Sequence, residues 1–229
     1  MTALLVLEST TDFAQITKVS RRADQTFGTT ASIQAGEELS VEQLLHALLL
    51  PSRNDAAVVL AEYFGRGYSR QPGENFQTGF VNRMSERARE LTLSNTTFVD
   101  PHGPGNNESS AADLLVLSHI AMQDPRFAKF VSKRQYALNI RSLQGDMRAV
   151  TWKNTNTLLN LPYFSGIKTG HSNSAEGCLI TSGHHRGVTL QVVVLRSLNQ
   201  KTRFIDAQNL FQRALRKIAE KNNFPTDTP

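Results

Sequence analysis

Cysteine is almost missing from this chain: Cys178 is the only one in 229 residues. That excludes an internal disulfide framework and a cysteine-based zinc site. Set in the apolar run CLITS, Cys178 reads as a buried strand position, not a reactive thiol. Long hydrophobic runs are missing too, and no stretch reaches the roughly 20 apolar residues of a membrane span. The opening MTALLVLEST is apolar but short, has no basic start and meets Glu8 almost at once, so it is not a secretory signal. No repeat, low-complexity tract or linker is visible, which implies one domain over residues 1–223 followed by a disordered polar tail at 224–229. The surplus of base over acid is modest, +5 with a pI near 9.6. The basic residues are scattered, without a dense cluster interleaved with aromatics, so nucleic acid is not an expected partner.

What is present describes an ordinary globular chain, 39% hydrophobic and 20% charged, long enough for a substantial core. SVEQLLHALLLPS offers Ser40 as N-cap and Gln43 as its capping-box partner, then an apolar helix stopped at Pro51. RNDAAVVLAEYFG follows as a second helix, with Ser52 or Asn54 available as cap and Gly65 as terminator. Phe76, Phe80, Met84, Ala88 and Leu91 recur at helical spacing in a third. Residues 113–122 and 125–132 read as two short helices beyond the loop VDPHGPGNNESS. The β signals come late: FSGIKTG is a short strand, and EGCLITSGHHRGVTLQVVVL is a hairpin around a Gly-bounded turn. A terminal amphipathic helix carries Phe204, Ala207, Phe211, Ala214 and Ile218 on one face. Helices followed by an antiparallel hairpin and a closing helix indicate an α+β layer.

Two short motifs carry chemistry. In YFSGIKTGHSNSAEG, Lys168-Thr169-Gly170 places a fixed cation on a strand edge. The glycine lets a substrate lie close, and the next backbone N–H can meet a developing oxyanion. Ser52-Arg53-Asn54 lies at the joint between two apolar helices, where a hydroxyl and an amide two residues apart can face a cleft. Taken alone, the tripeptide recurs by chance and the triplet reads as helix capping.

Together they resemble the penicillin-recognising serine enzymes, whose signature is S-x-x-K, then S-x-N or S-D-N, then K-T-G. The flanks sharpen the likeness. MTALLVLE, GEELSVEQLLHALLLPSRNDAAVVLAE, FVNRMSERARELTLSNTTFVDPHG, WKNTNTLL and SGIKTGHSNSAEGCLITS together resemble the D-alanyl-D-alanine carboxypeptidase family, the low-molecular-mass penicillin-binding proteins, over nearly all of residues 1–215. The resemblance implies a β-lactamase/transpeptidase-like fold: an antiparallel sheet flanked by helices plus an all-helical subdomain, here lacking its N-terminal strands. It assigns Ser52 and Asn54 the second-motif roles and Lys168 the electrostatic and proton-relay role. Thr169 binds the substrate's terminal carboxylate, Gly170 admits the peptide, and the backbone N–H of His171 is an oxyanion donor. His102 is structural by the same likeness, and His184-His185 form an exposed hairpin tip without metal-ligand spacing. The family pattern departs at Leu195-Arg196, where members often turn through glycine, and at Thr155, where some carry arginine; Arg203 fits. No metal or organic cofactor is implied. The implied substrate is the D-Ala-D-Ala end of a peptidoglycan stem peptide, with β-lactams as ligands of a complete enzyme and an extracytoplasmic location.

The family's nucleophilic serine and its lysine lie just upstream of the MTAL sequence, where this chain begins. The single S-x-x-K here is Ser165-Gly166-Ile167-Lys168, whose lysine already belongs to the third motif and whose pattern is that of a strand. The sequence therefore reads as a carboxypeptidase domain without its nucleophile, a truncated frame or fragment, and nearly inactive as it stands. The alternatives are a non-catalytic muropeptide-binding pseudoenzyme and a serine β-lactamase. The last ranks low because no Glu-rich loop lies between Asn54 and Lys168.

Overall fold

The computed structural model describes residues 1–69 and 72–222; the tail expected to be disordered lies outside the described residues. The chain divides into two compact units, Met1–Thr155 and Asn156–Pro229.

The first unit contains α1 (Thr2–Ser9), β1 (Ile16–Lys18), α2 (Arg21–Asp24), β2 (Glu38–Ser40), α3 (Val41–Leu49), α4 (Asn54–Gly65), α5 (Phe76–Glu90), α6 (Ala111–Gln123), α7 (Pro125–Val131), β3 (Gln135–Arg141) and β4 (Met147–Lys153). The capping box at the start of α3 is present: Ser40 accepts from the Gln43 amide, and the Gln43 side chain accepts from the Ser40 amide. Such reciprocal capping satisfies two otherwise orphaned donors. α4 is central, with every residue from Ala56 to Ala61 buried, and it packs on α5, α3, α2 and α1. Its cap differs from expectation. Arg53 occupies the N-cap position without a side-chain capping bond, and Asn54 is the first helical residue, because the Asn54 amide is drawn to another loop. On α5, Phe80, Met84 and Ala88 are buried as their spacing predicts, whereas Phe76 stays exposed at the helix start.

Two antiparallel pairs in this unit escape the patterns above. β1 pairs with β2, and β3 pairs with β4 in a seven-rung ladder from Gln135↔Lys153 to Arg141↔Met147. On the hairpin's inner face Ile140 and Trp152 are buried. Arg148 fastens it to the loop before β2 by donating to Glu37 at 2.9 Å and to the Ser32 carbonyl.

The second unit holds β5 (Phe164–Ser172), β6 (Glu176–His185), β7 (Val188–Ser197) and α8 (Thr202–Asn222), with a short 3-10 helix at Thr157–Asn160. The sheet order is β5-β6-β7, antiparallel throughout, and α8 packs on β6 and β7. Phe164, Leu179, Val192, Val194, Ala207, Phe211 and Leu215 form one apolar core between sheet and helix. The period of two along the strands and of 3.6 along α8 brings these side chains to one layer. The architecture is α+β. Cys178 lies on β6 as predicted but is half-buried, its thiol directed at the Ala175 carbonyl.

Candidate functional site

In the first unit, the second motif is built at the joint between α3 and α4. Leu50 ends α3, and its carbonyl accepts from both the amide and the hydroxyl of Thr155. The Arg53 amide reaches back to the Ala47 carbonyl, and between these anchors Ser52 takes φ +61°, a left-handed conformation uncommon for a residue with a side chain. Such a backbone persists only where the surroundings hold it, and it concentrates at functional turns.

Asn54 is held from the other side by the loop at residues 26–33. Its backbone amide donates to the Thr29 carbonyl and its side-chain Nδ2 to the Phe27 carbonyl, both at 2.8 Å. Gly28 lies between, at φ +91°, where a Cβ would come within 2.7 Å of Asn54 Nδ2. Only glycine leaves room for that amide at this backbone angle. The loop is pinned once more by Asp55, 1% exposed, whose carboxylate accepts from the amides of Ala31 and Ala56. Burial pushes the Asp55 carboxyl above its ordinary range, against the pull of those amides. Neither Gly28 nor Asp55 follows from the sequence motifs, because both act through a loop more than twenty residues away. The Asx and Gly chemistry of DQTFGTT marks a turn but not its destination.

His102 sits in the turn that Asp100 organises: Asp100 accepts from the amides of His102, Gly103 and Gly105 and from the Asn107 side chain. The Thr2 hydroxyl holds the Pro101 carbonyl at 2.6 Å, so this loop is tied to α1.

In the second unit, Lys168, Thr169, Gly170 and His171 run consecutively along β5. The strand's entry is fixed by the Gly166 carbonyl, which accepts from both Asn156 Nδ2 and Thr181 Oγ1 at 2.6 Å. Lys168 Nζ donates to the Thr169 carbonyl at 2.6 Å. Burial, helped by the nearby Arg203 guanidinium, brings the Lys168 ammonium down to about 7. An amine at that value can hold a proton or release it near neutral pH, which suits a proton relay. Arg203, on α8 and 5% exposed, donates to the Gly170 carbonyl at 2.8 Å, and its buried Nε has no hydrogen-bond partner among the described residues. Thr169 is buried, Gly170 faces Cys178 across the ladder, and the exposed His171 ring meets the Glu176 carbonyl at 3.0 Å. Ser165 shares this strand with Lys168. The ladder shifts register between Phe164 and Ile167, and the pair lies on this irregular strand, not three residues apart along one turn of a helix.

His184 and His185 lie at the end of β6 beside the Arg186-Gly187 turn, and His184 meets the Thr189 hydroxyl at 2.8 Å. Among the described residues no group of three or more His, Cys, Asp or Glu could hold a metal ion, and no helix is long and apolar enough to cross a membrane.

Comparison with known proteins gives these motifs their context. The family model described as D-alanyl-D-alanine carboxypeptidase matches residues 1–199. The D-alanyl-D-alanine carboxypeptidase of Streptomyces sp. strain K15 is 34% identical over 79% of this chain and 62% of its own length. DacF of Bacillus subtilis strain 168, a D-alanyl-D-alanine carboxypeptidase, is 28% identical over 89% of this chain and 51% of its own. The chain thus spans between about half and three fifths of these curated relatives. The crystal structure of the Streptomyces K15 DD-transpeptidase superposes with a TM-score of 0.84 at 30% identity, covering 92% of this chain and 82% of that one. With the family model matching from Met1 to beyond β7, and a solved relative sharing the fold, this chain belongs to the D-alanyl-D-alanine carboxypeptidase family of serine peptidases.

Proposed function

We propose that residues 1–223 act as a single penicillin-binding-type domain of an extracytoplasmic serine D-Ala-D-Ala carboxypeptidase. Its ligand is the D-Ala-D-Ala end of a peptidoglycan stem peptide. Ser52 relays a proton and Asn54 holds a substrate amide. Lys168 supplies positive charge and a proton route, Thr169 binds the terminal carboxylate, Gly170 admits the peptide, and the His171 backbone N–H stabilises the oxyanion. The complete enzyme forms an acyl-enzyme at a serine, releases D-Ala, and then hydrolyses the ester with water. The observation that carries this reading is the placement of half-buried Lys168, with Thr169 and Gly170 after it, along β5 in the family's K-T-G pattern, Arg203 reaching the Gly170 carbonyl beside it.

The nucleophile is not assigned to any residue of this sequence, since its one S-x-x-K lies on β5. Loss of a nucleophile typically costs about 10⁶-fold in turnover. On this reading the polypeptide is nearly inactive in peptide cleavage, and the alternative is a non-catalytic protein that binds muropeptide. Two measurements test the proposal. Calorimetric titration with diacetyl-L-Lys-D-Ala-D-Ala gives a measurable affinity that is lost in Lys168→Ala; a folded chain that binds no peptide overturns the assignment. Incubation with fluorescent penicillin gives no covalent label; a labelled band overturns the account of the nucleophile. Nitrocefin turnover would instead favour a serine β-lactamase.

A further inference from the structure

The closing helix carries positive charge that the fold leaves unanswered. α8 holds five basic and two acidic side chains, a net +3 within a chain of +5. Two of these seven are taken up by the sheet: Arg203 donates to the Gly170 carbonyl, and Asp206 accepts from the Ser197 hydroxyl. The other basic residues, Arg213, Arg216, Lys217 and Lys221, are all exposed, with Glu220 the one acid among them. Among the described residues none of the four forms an ion pair. The buried row Ala207, Phe211 and Leu215 faces the sheet, and the helical period turns the four cations to the outer side.

Helix stability does not account for them. A cation at a C-terminus complements the helix dipole only within the last turn, which covers Lys221 alone. Arg213 and Lys217, like Lys217 and Lys221, stand four residues apart, and like charges at that spacing weaken a helix. Ile205 and Leu210 lie on the same outer side, 56% and 45% exposed. The row Leu210, Arg213, Lys217, Lys221 thus joins an apolar contact to a line of cations.

We propose that the outer side of α8 docks on an anionic lipid surface, with the helix lying along the membrane plane. A helix of 21 residues extends about 30 Å, and the core beneath holds it against β6 and β7, so its cations meet several headgroups at once. Charge complementarity supplies the attraction, about fivefold in affinity per basic residue near the surface. The exposed Ile205 and Leu210 favour lipid over a hydrated polyanion, because a headgroup layer borders hydrocarbon and a dissolved polymer does not. What α8 meets is independent of the ligand that β5 holds.

Cosedimentation of the full chain with vesicles of about 30% phosphatidylglycerol in phosphatidylcholine tests this. At about 0.1 M salt the chain should bind these vesicles and not pure phosphatidylcholine, and about 0.5 M salt should release it. Arg213→Gln with Lys217→Gln should weaken binding about 25-fold, and Arg216→Gln with Lys221→Gln should act alike. Lys18→Gln with Arg21→Gln removes the same charge from exposed positions of the first unit and should weaken binding less than about twofold. The urea midpoint should be no lower in any of these variants, since every replaced side chain is exposed. Equal weakening by the α8 pairs and the first-unit pair overturns α8 as the docking side. Binding to neither vesicle, or equally to both, overturns the proposal outright. Binding to soluble poly(glycerol phosphate) as tight, per phosphate, as to the vesicles overturns lipid as the partner.

Discussion

Replacing Gly28 by alanine tests the link between a distant loop and the second motif. Gly28 sits at φ +91° with Asn54 Nδ2 only 2.7 Å from where a Cβ would stand. Two costs follow. Holding alanine in the left-handed region costs about 1 kcal/mol. Pushing the Asn54 amide off the Phe27 carbonyl breaks a hydrogen bond made at 2.8 Å and strands a largely buried donor, about 1–3 kcal/mol more. The reduced freedom of the unfolded chain returns about 0.5 kcal/mol. The net loss is about 1.5–3.5 kcal/mol, which for a chain of this size lowers the melting midpoint by roughly 3–14 °C. Gly145→Ala is the control, because Gly145 has φ +95° and nothing within 4 Å of its added Cβ. That variant bears the backbone cost alone, about 1 kcal/mol. Urea denaturation of both variants, with titration of diacetyl-L-Lys-D-Ala-D-Ala, separates the contributions: Gly28→Ala should lose stability and affinity, Gly145→Ala a little stability only. Equal destabilisation by the two, with affinity intact, would refute the argument that Gly28 serves Asn54.

Other expectations concern buried ionisable groups. His46 stacks on Tyr136 with 3.8 Å between ring centroids and accepts from Lys133 at 2.9 Å through Nε2, which requires a neutral ring with its proton on Nδ1 toward Glu42. Burial, with the charges of Lys133 and Lys129, brings it from 6.5 to about 4 despite the Glu42 carbonyl. Between those values the unfolded chain binds a proton that the folded chain refuses, so acid favours unfolding. Stability should fall by up to about 3 kcal/mol as pH drops from 6.5 through 4, and the urea midpoint of His46→Gln should fall less steeply. Arg148→Ala should destabilise by about 3 kcal/mol in urea, because it strips the buried Glu37 carboxylate of its ion pair. Asp55→Asn should cost about 1–3 kcal/mol, since an amide cannot accept with both of its ends from the Ala31 and Ala56 amides. Peptide affinity should weaken above pH 7, by about tenfold per unit where binding needs the charged Lys168, because the amine is protonated only below its lowered pKa. A flat profile from pH 6 to 9 would exclude Lys168 as the cation that meets the ligand.

Local patterns carried much of this protein. The capping box at Ser40 and Gln43, the stripe of Phe80, Met84 and Ala88, the Pro125 start of α7 and the β6–β7 hairpin are all set by neighbours within a few residues. The sequence also carried Lys168-Thr169-Gly170 and Ser52-x-Asn54 as short contiguous motifs. The β3–β4 hairpin was the weaker signal. Tyr136, Leu138 and Ile140 alternate with Ala137 and Asn139, and Arg148, Val150 and Trp152 with Ala149 and Thr151, so small apolar residues blur the pattern, and the inner row contains an arginine that only makes sense once Glu37 is beside it.

Tertiary structure alone decided the rest. That Asn54 begins α4 instead of capping it depends on the Phe27 carbonyl 27 residues earlier. That Thr155 holds the end of α3 depends on a contact across 105 residues. The lowered value of Lys168 depends on burial and on Arg203 from α8. Helix stripes, caps and turns are written in chain-local periodicity, whereas the partner of a carbonyl and the dehydration of an amine are properties of what the finished fold brings beside them.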